Sequence, residues 1–88
     1  MITDYEQTLI HAIRYGLMTD KHSYRVTGYV ESVISKLSDE CIKIILKDIE
    51  NLVDYSCLAV VQVDWICLKE QLEEEMEKRY GQADSRNT

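Results

Sequence analysis

Apolar residues recur at three- and four-residue intervals through most of this chain, the period of helices buried along one side. The clearest run is Ser38 to Val53, SDECIKIILKDIENLV. On a helix, Ile42, Ile45, Leu46, Ile49, Leu52 and Val53 gather into one stripe of roughly 120°, the width of a core-facing side. Ser38 stands in front as an N-cap, and Asp39 and Glu40 fill the first turn, where the helix dipole favours negative charge. Cys41, Ile44 and Tyr55 fall outside the stripe, in a narrower second strip that also holds Asp48. A helix apolar on two sides is central or carries a partner. Cys41, Ile44 and Tyr55 are therefore the expected self-association strip, consistent with a homodimer.

Three further helices are expected around it. Thr3 and Glu6 have capping-box spacing ahead of a first helix. Its inner face is Tyr5, Leu9, Ala12, Ile13, Gly16 and Leu17, and His11, Arg14 and Tyr15 point outward. After the polar connection MTDKHS, a second helix runs from about Tyr24 to Lys36, with Val26, Tyr29, Val30, Val33, Ile34 and Leu37 at helical spacing. Gly28 and Ser32 on its back are small enough to admit another backbone. The last helix is expected to start at Asp64 as N-cap, with Trp65, Leu68, Leu72, Met76 and Tyr80 on one narrow face and Gly81 as its stop. Glu74–Lys78 and Glu75–Arg79 are favourable pairs, each stabilising by roughly 0.2–0.5 kcal/mol. Leu58 to Val63, LAVVQV, is rich in valine. It predicts an ordered, mainly non-helical linker or short strand, a helix continuing from Tyr55 being the alternative. The expected fold is all-α: a small four-helix antiparallel bundle around the central helix, with one irregular or short extended segment before the last. Residues 1–81 form its single domain and 82–88 a disordered tail.

Composition narrows the function. Proline is absent and there are three glycines in 88 residues, which suits helices rather than a turn-rich β architecture. With no Phe and one Trp, the core must be aliphatic, and six tyrosines supply the aromatic surface. Net charge is −6, of which residues 1–44 carry −1 and residues 45–88 carry −5. Direct binding to nucleic acid or to an anionic membrane is disfavoured, while a basic protein surface is a compatible partner. The start, MITDYEQ, is acidic and lacks the apolar region of a signal peptide, and no window reaches the length of a membrane span. Cys41, Cys57 and Cys67 are odd in number and lie on apolar patterns, so they read as reduced, buried thiols in the cytoplasm.

Candidate chemistry is sparse. The cysteines and histidines show none of the short-spaced pairs that announce zinc, and no glycine-rich loop offers an oxyanion hole or phosphate cradle. No cofactor or enzymatic activity is expected. Arg14, Tyr15 and Tyr24, with Lys21, His22 and Arg25 nearby, could hold an anion or a nucleotide by guanidinium pairing and ring stacking. The alternative is that Arg14 pairs with Asp48 and the cluster is structural. Glu70, Glu73, Glu74, Glu75 and Glu77 could imitate a row of phosphates toward a nucleic-acid-binding host protein. A plain solvated face is the competing explanation.

The order of residues also resembles a group of small proteins encoded by phages and prophages. The likeness lies in Arg14-Tyr15-Gly16-Leu17, Ser23-Tyr24, Val26, Val30, Leu37-Ser38-Asp39, Lys47-Asp48-Ile49-Glu50 and Asp64-Trp65, and it covers about residues 9–68. Where that group reads R-Y-A-L-G-R-x-[ST]-Y, this chain has Gly16 for the alanine and a segment about two residues longer. Met18 to His22 stand in place of the loop's glycine and second arginine. The resemblance implies a helical phage accessory protein in the host cytoplasm and supplies no activity. With an acidic last helix and no catalytic constellation, the expectation is a stoichiometric inhibitor of a host protein, most concretely an anti-CRISPR-like inhibitor. Glu70, Glu73, Glu74 and Glu77 are its expected partner-binding residues. A nucleotide-sequestering protein built on Arg14, Tyr15 and Tyr24, or a structural interaction module, are the alternatives.

Overall fold

The computed structural model describes residues 2–19, 23–52 and 59–81. All the regular structure among them is helical: α1 (Asp4–Thr19), α2 (Ser23–Val33) closed by a 3-10 turn (Ile34–Lys36), α3 (Asp39–Leu52), and α4 (Ala59–Met76), which widens into a π-turn (Glu77–Gly81). The protein is an all-α four-helix bundle. Among the described residues, no helix is long and apolar enough to cross a membrane.

Local chemistry starts α1 and α3 where the sequence says it should. At α1 the Glu6 backbone N–H donates to Thr3 Oγ1 at 3.1 Å, and the Thr3 N–H donates to Glu6 Oε1 at 3.1 Å, a complete capping box. At α3 the Cys41 N–H donates to Ser38 Oγ at 3.2 Å. The α2 helix has no glycine stop and tightens instead, the Leu37 N–H donating to the Ile34 carbonyl at 3.2 Å before Leu37 turns extended. At the far end of the chain, a Cβ on Gly81 would lie 2.7 Å from Glu77 Cγ, so glycine lets the π-turn close.

Polar contacts fix the directions. Glu6 meets Ser38 and Arg14 meets Asp48, so α1 and α3 run in the same sense. Tyr5 and Tyr29 share a hydroxyl–hydroxyl hydrogen bond, so α1 and α2 run oppositely. Arg79 meets Asp39 and Lys69 meets Glu50, which makes α3 and α4 antiparallel. Successive helices thus alternate, as expected. In space, however, α1 packs on α2 and α3, and α4 packs on the same two, giving a ring in the order α1–α2–α4–α3. The neighbours α1/α3 and α2/α4 are parallel, and the short 3-10 connection crosses the bundle diagonally.

One core fills the ring: Leu9, Ile10, Ile13 and Leu17 from α1, Val30 and Leu37, Cys41, Ile42, Ile45 and Ile49 from α3, and Trp65, Leu68 and Leu72 from α4. Leu46, Leu52 and Met76 pack against it half-buried. Each fully buried aliphatic side chain stabilises by about 1.5–3 kcal/mol. The Trp65 indole N–H is a buried donor with no hydrogen-bond partner among the described residues.

Several expectations are corrected. Ala59 to Val63 are the first turns of α4, so the last helix does not begin at Asp64 and these residues are not extended; Leu58 lies outside the described residues. Apolar residues at 59–61 and 63 are compatible with either state, and here the helix continues N-terminally from Trp65. Cys41 is completely buried, so it cannot contribute to the expected self-association strip, and Ile44 is half-buried against the core. Parallel packing of α1 on α3, with Glu6 beside Cys41, covers that side of α3. Tyr55, the third member, lies outside the described residues, as do Val53 and the tail. Tyr5, Ala12, Tyr29 and Tyr80, expected on inner faces, are exposed, whereas Ile10 joins the core.

Candidate functional site

Two surfaces are candidates for a functional site, and both involve α4. The first is its outward side. Val63, Ile66, Glu70, Glu73 and Glu77 follow one another at three- and four-residue intervals, and all are exposed. Glu74, also exposed, lies on the adjoining side toward α2, where it borders a shallow depression with Ile34, Gln71, Glu75 and Lys78. Core packing explains the arrangement: Trp65, Leu68 and Leu72 take the inward side, which turns the glutamates out.

Electrostatics leaves that side acidic. Two of the three basic residues on this stretch are drawn inward to other carboxylates. Arg79 donates from Nε to Glu75 at 2.8 Å and from Nη1 to Asp39 at 2.7 Å, and its Nη2 reaches the carbonyls of Ile34 and Ser35 at 3.2 and 3.4 Å. These carboxylates hold the guanidinium pKa above its ordinary value, hydrogen bonding to Asp39 being the largest cause. Lys69 Nζ lies 4.0 Å from Glu50. Ion pairs among the described residues use Asp39, Asp48, Glu50 and Glu75, and none of these pairs neutralises Glu70, Glu73, Glu74 or Glu77.

The second surface is the seam between the parallel helices α2 and α4. A shallow depression of about 450 Å³ opens there, lined by Tyr24, Arg25, Thr27, Gly28, Tyr29 and Glu31 from α2 and by Asp64 and Cys67 from α4. Tyr24 is 79% exposed at its rim. Nothing lies within 4 Å of where a Cβ on Gly28 would project, so this part of the wall is bare backbone.

The cluster Arg14, Tyr15, Tyr24 and Asp48 is not gathered into one site. Arg14 Nε donates to Asp48 Oδ2 at 2.8 Å across α1 and α3, which is the structural pairing. Tyr24 belongs to the α2–α4 seam, and Tyr15 is exposed on α1. Sequence reasoning missed Glu31, Asp64 and Cys67 as neighbours of Tyr24. No short motif links them, because parallel packing of α2 on α4 brings them together. Among the described residues, no group of three or more His, Cys, Asp or Glu side chains could hold a metal ion. No family model matches this chain, and neither a curated protein nor a solved structure matches it.

Proposed function

We propose that this protein acts by binding rather than by catalysis, presenting the acidic outward side of α4 to a basic surface on a partner protein. In the setting that the phage resemblance implies, the partner is a host protein that handles nucleic acid, and the outcome is stoichiometric inhibition of an anti-CRISPR-like kind. The observation that carries the reading is the divided use of charge on one helix. Arg79 and Lys69 turn toward Asp39, Glu75 and Glu50, while Glu70, Glu73 and Glu77 remain outward beside the exposed Val63 and Ile66. A helix so arranged offers an apolar contact at one end and a row of carboxylates along the rest. Complementary charge steers such encounters and makes them sensitive to salt.

The test is affinity capture from host lysate with the wild-type chain and with Glu70→Lys/Glu73→Lys/Glu77→Lys. The wild type should retain a basic protein that elutes as salt rises, and the reversed chain, folded by circular dichroism, should not. Equal retention by both chains sinks the reading. The nucleotide-binding alternative is not favoured, since Arg14 is committed to Asp48 and Tyr24 lies in another seam.

A further inference from the structure

We propose that the protein pairs with a second copy of itself, the outward side of α3 in each copy meeting the acidic row of α4 in the other. On α3, Lys43 and Lys47 are exposed one turn apart and enter none of the ion pairs among the described residues. On α4, Glu70, Glu73 and Glu77 are exposed and enter none of them either. The pairs Arg79–Asp39 and Lys69–Glu50 fix how the two rows stand relative to each other. They set Lys43 level with the stretch Glu73–Glu77 and Lys47 level with Glu70–Glu73. Opposite charges thus occupy matching heights on neighbouring antiparallel helices.

Matching heights have a consequence for symmetry. A two-fold axis parallel to the helices, running along the α3–α4 seam, lays α3 of one copy on α4 of the other without changing its level. Each pair of lysines then faces the other copy's glutamates. The contact is made twice and closes at a dimer. Setting α4 on α4 would instead oppose glutamates to glutamates. The middle of the face is partly apolar. Leu46 lies four residues before Glu50 and Met76 seven after Lys69, so both are on the seam side, where each is half-buried. Ile66 is exposed on the adjoining margin of α4. An apolar middle with a charged rim is the anatomy of a protein interface. Each chain carries −6 overall, so distant charges oppose pairing. At about 0.1 M salt, charges farther apart than about 10 Å are screened while close pairs still act. The dimer does not rest on the host-protein reading, but it uses the same glutamates, so the two occupants compete.

Sedimentation velocity of the full chain, kept reduced so that the exposed Cys67 forms no disulfide, tests this. At about 0.1 M salt the wild type should pass from monomer to dimer as concentration rises. At about 1 M, where the screening length is about 3 Å, it should stay monomeric. Lys43→Glu/Lys47→Glu and Glu70→Lys/Glu73→Lys/Glu77→Lys, each folded by circular dichroism, should each weaken pairing more than about tenfold. An equimolar mixture of those two variants should dimerise again, because each contact then joins opposite charges. A wild type that stays monomeric at every concentration overturns the inference, as does a dimer that the reversals leave unchanged. Failure of the mixture to associate overturns it too. The lysine reversal leaves α4 intact, so capture of a host protein by that variant should persist. Capture without self-association sinks the dimer alone, and self-association without capture sinks the acidic-surface reading alone.

Discussion

The Ser38 backbone N–H donates to Glu6 Oε2 at 2.7 Å, while the other oxygen of that carboxylate serves the Thr3 N–H. One buried side chain thus closes the N-terminal ends of two helices, although Glu6 and Ser38 lie 32 positions apart. Both dipoles favour its charge. The hydrogen bond from Ser38 is the main cause that holds the Glu6 pKa below its ordinary value, against the desolvation that would raise it. A depressed pKa means that the folded state prefers the ionised form. The resulting stability is complete above the ordinary glutamate range, near about pH 4.3, and is lost as pH falls through the lower folded-state value. Glu6→Gln should cost about 1–3 kcal/mol at neutral pH. Thermal melts of the two proteins should converge as the pH drops below 4; parallel curves would remove Glu6 from the acid response.

Arg79 and Arg14 should behave differently on deletion. Arg79 joins Asp39, Glu75 and two carbonyls of the α2 terminus, with its side chain 21% exposed. Arg14 pairs with Asp48 while 44% exposed. Arg79→Ala should cost about 1–3 kcal/mol, and Arg79→Lys should recover little because an ammonium cannot span the fork. Arg14→Ala should cost less than about 1 kcal/mol and vanish in high salt. Urea unfolding of the three variants gives the ranking.

Trp65 offers a contrast between volume and polarity in the core. Trp65→Ala should destabilise by about 3–5 kcal/mol through the cavity it leaves. Trp65→Phe removes the indole N–H, unpartnered among the described residues, together with part of the ring, and the two effects oppose each other. Its expected cost is below about 2 kcal/mol. Calorimetry would show a much smaller loss for the phenylalanine variant.

The two described thiols should differ in reactivity. Burial, then the nearby Glu6 charge, pushes the Cys41 pKa up to about 11, while Cys67 is exposed. In a Cys57→Ser background, a thiol reagent at pH 8 should label one cysteine in the native protein and two after denaturation. Rapid labelling of both in the native state would contradict the buried position of Cys41.

The helical period of Ile42, Ile45 and Ile49, the Thr3–Glu6 box and the Ser38 cap were all legible, because they depend on residues within a turn or two of one another. So was the acidic side of α4, since burying Trp65, Leu68 and Leu72 leaves the glutamates only the outside. Alternation alone also fixed that successive helices reverse direction. Which helices are neighbours depended on tertiary packing. Setting α1 parallel to α3 buried Cys41 and spent Arg14 on Asp48, and setting α2 parallel to α4 placed Tyr24 opposite Asp64. Nothing local in a sequence encodes such pairings, for they are settled by how four apolar stripes share one core. The surfaces available to a partner follow from that choice.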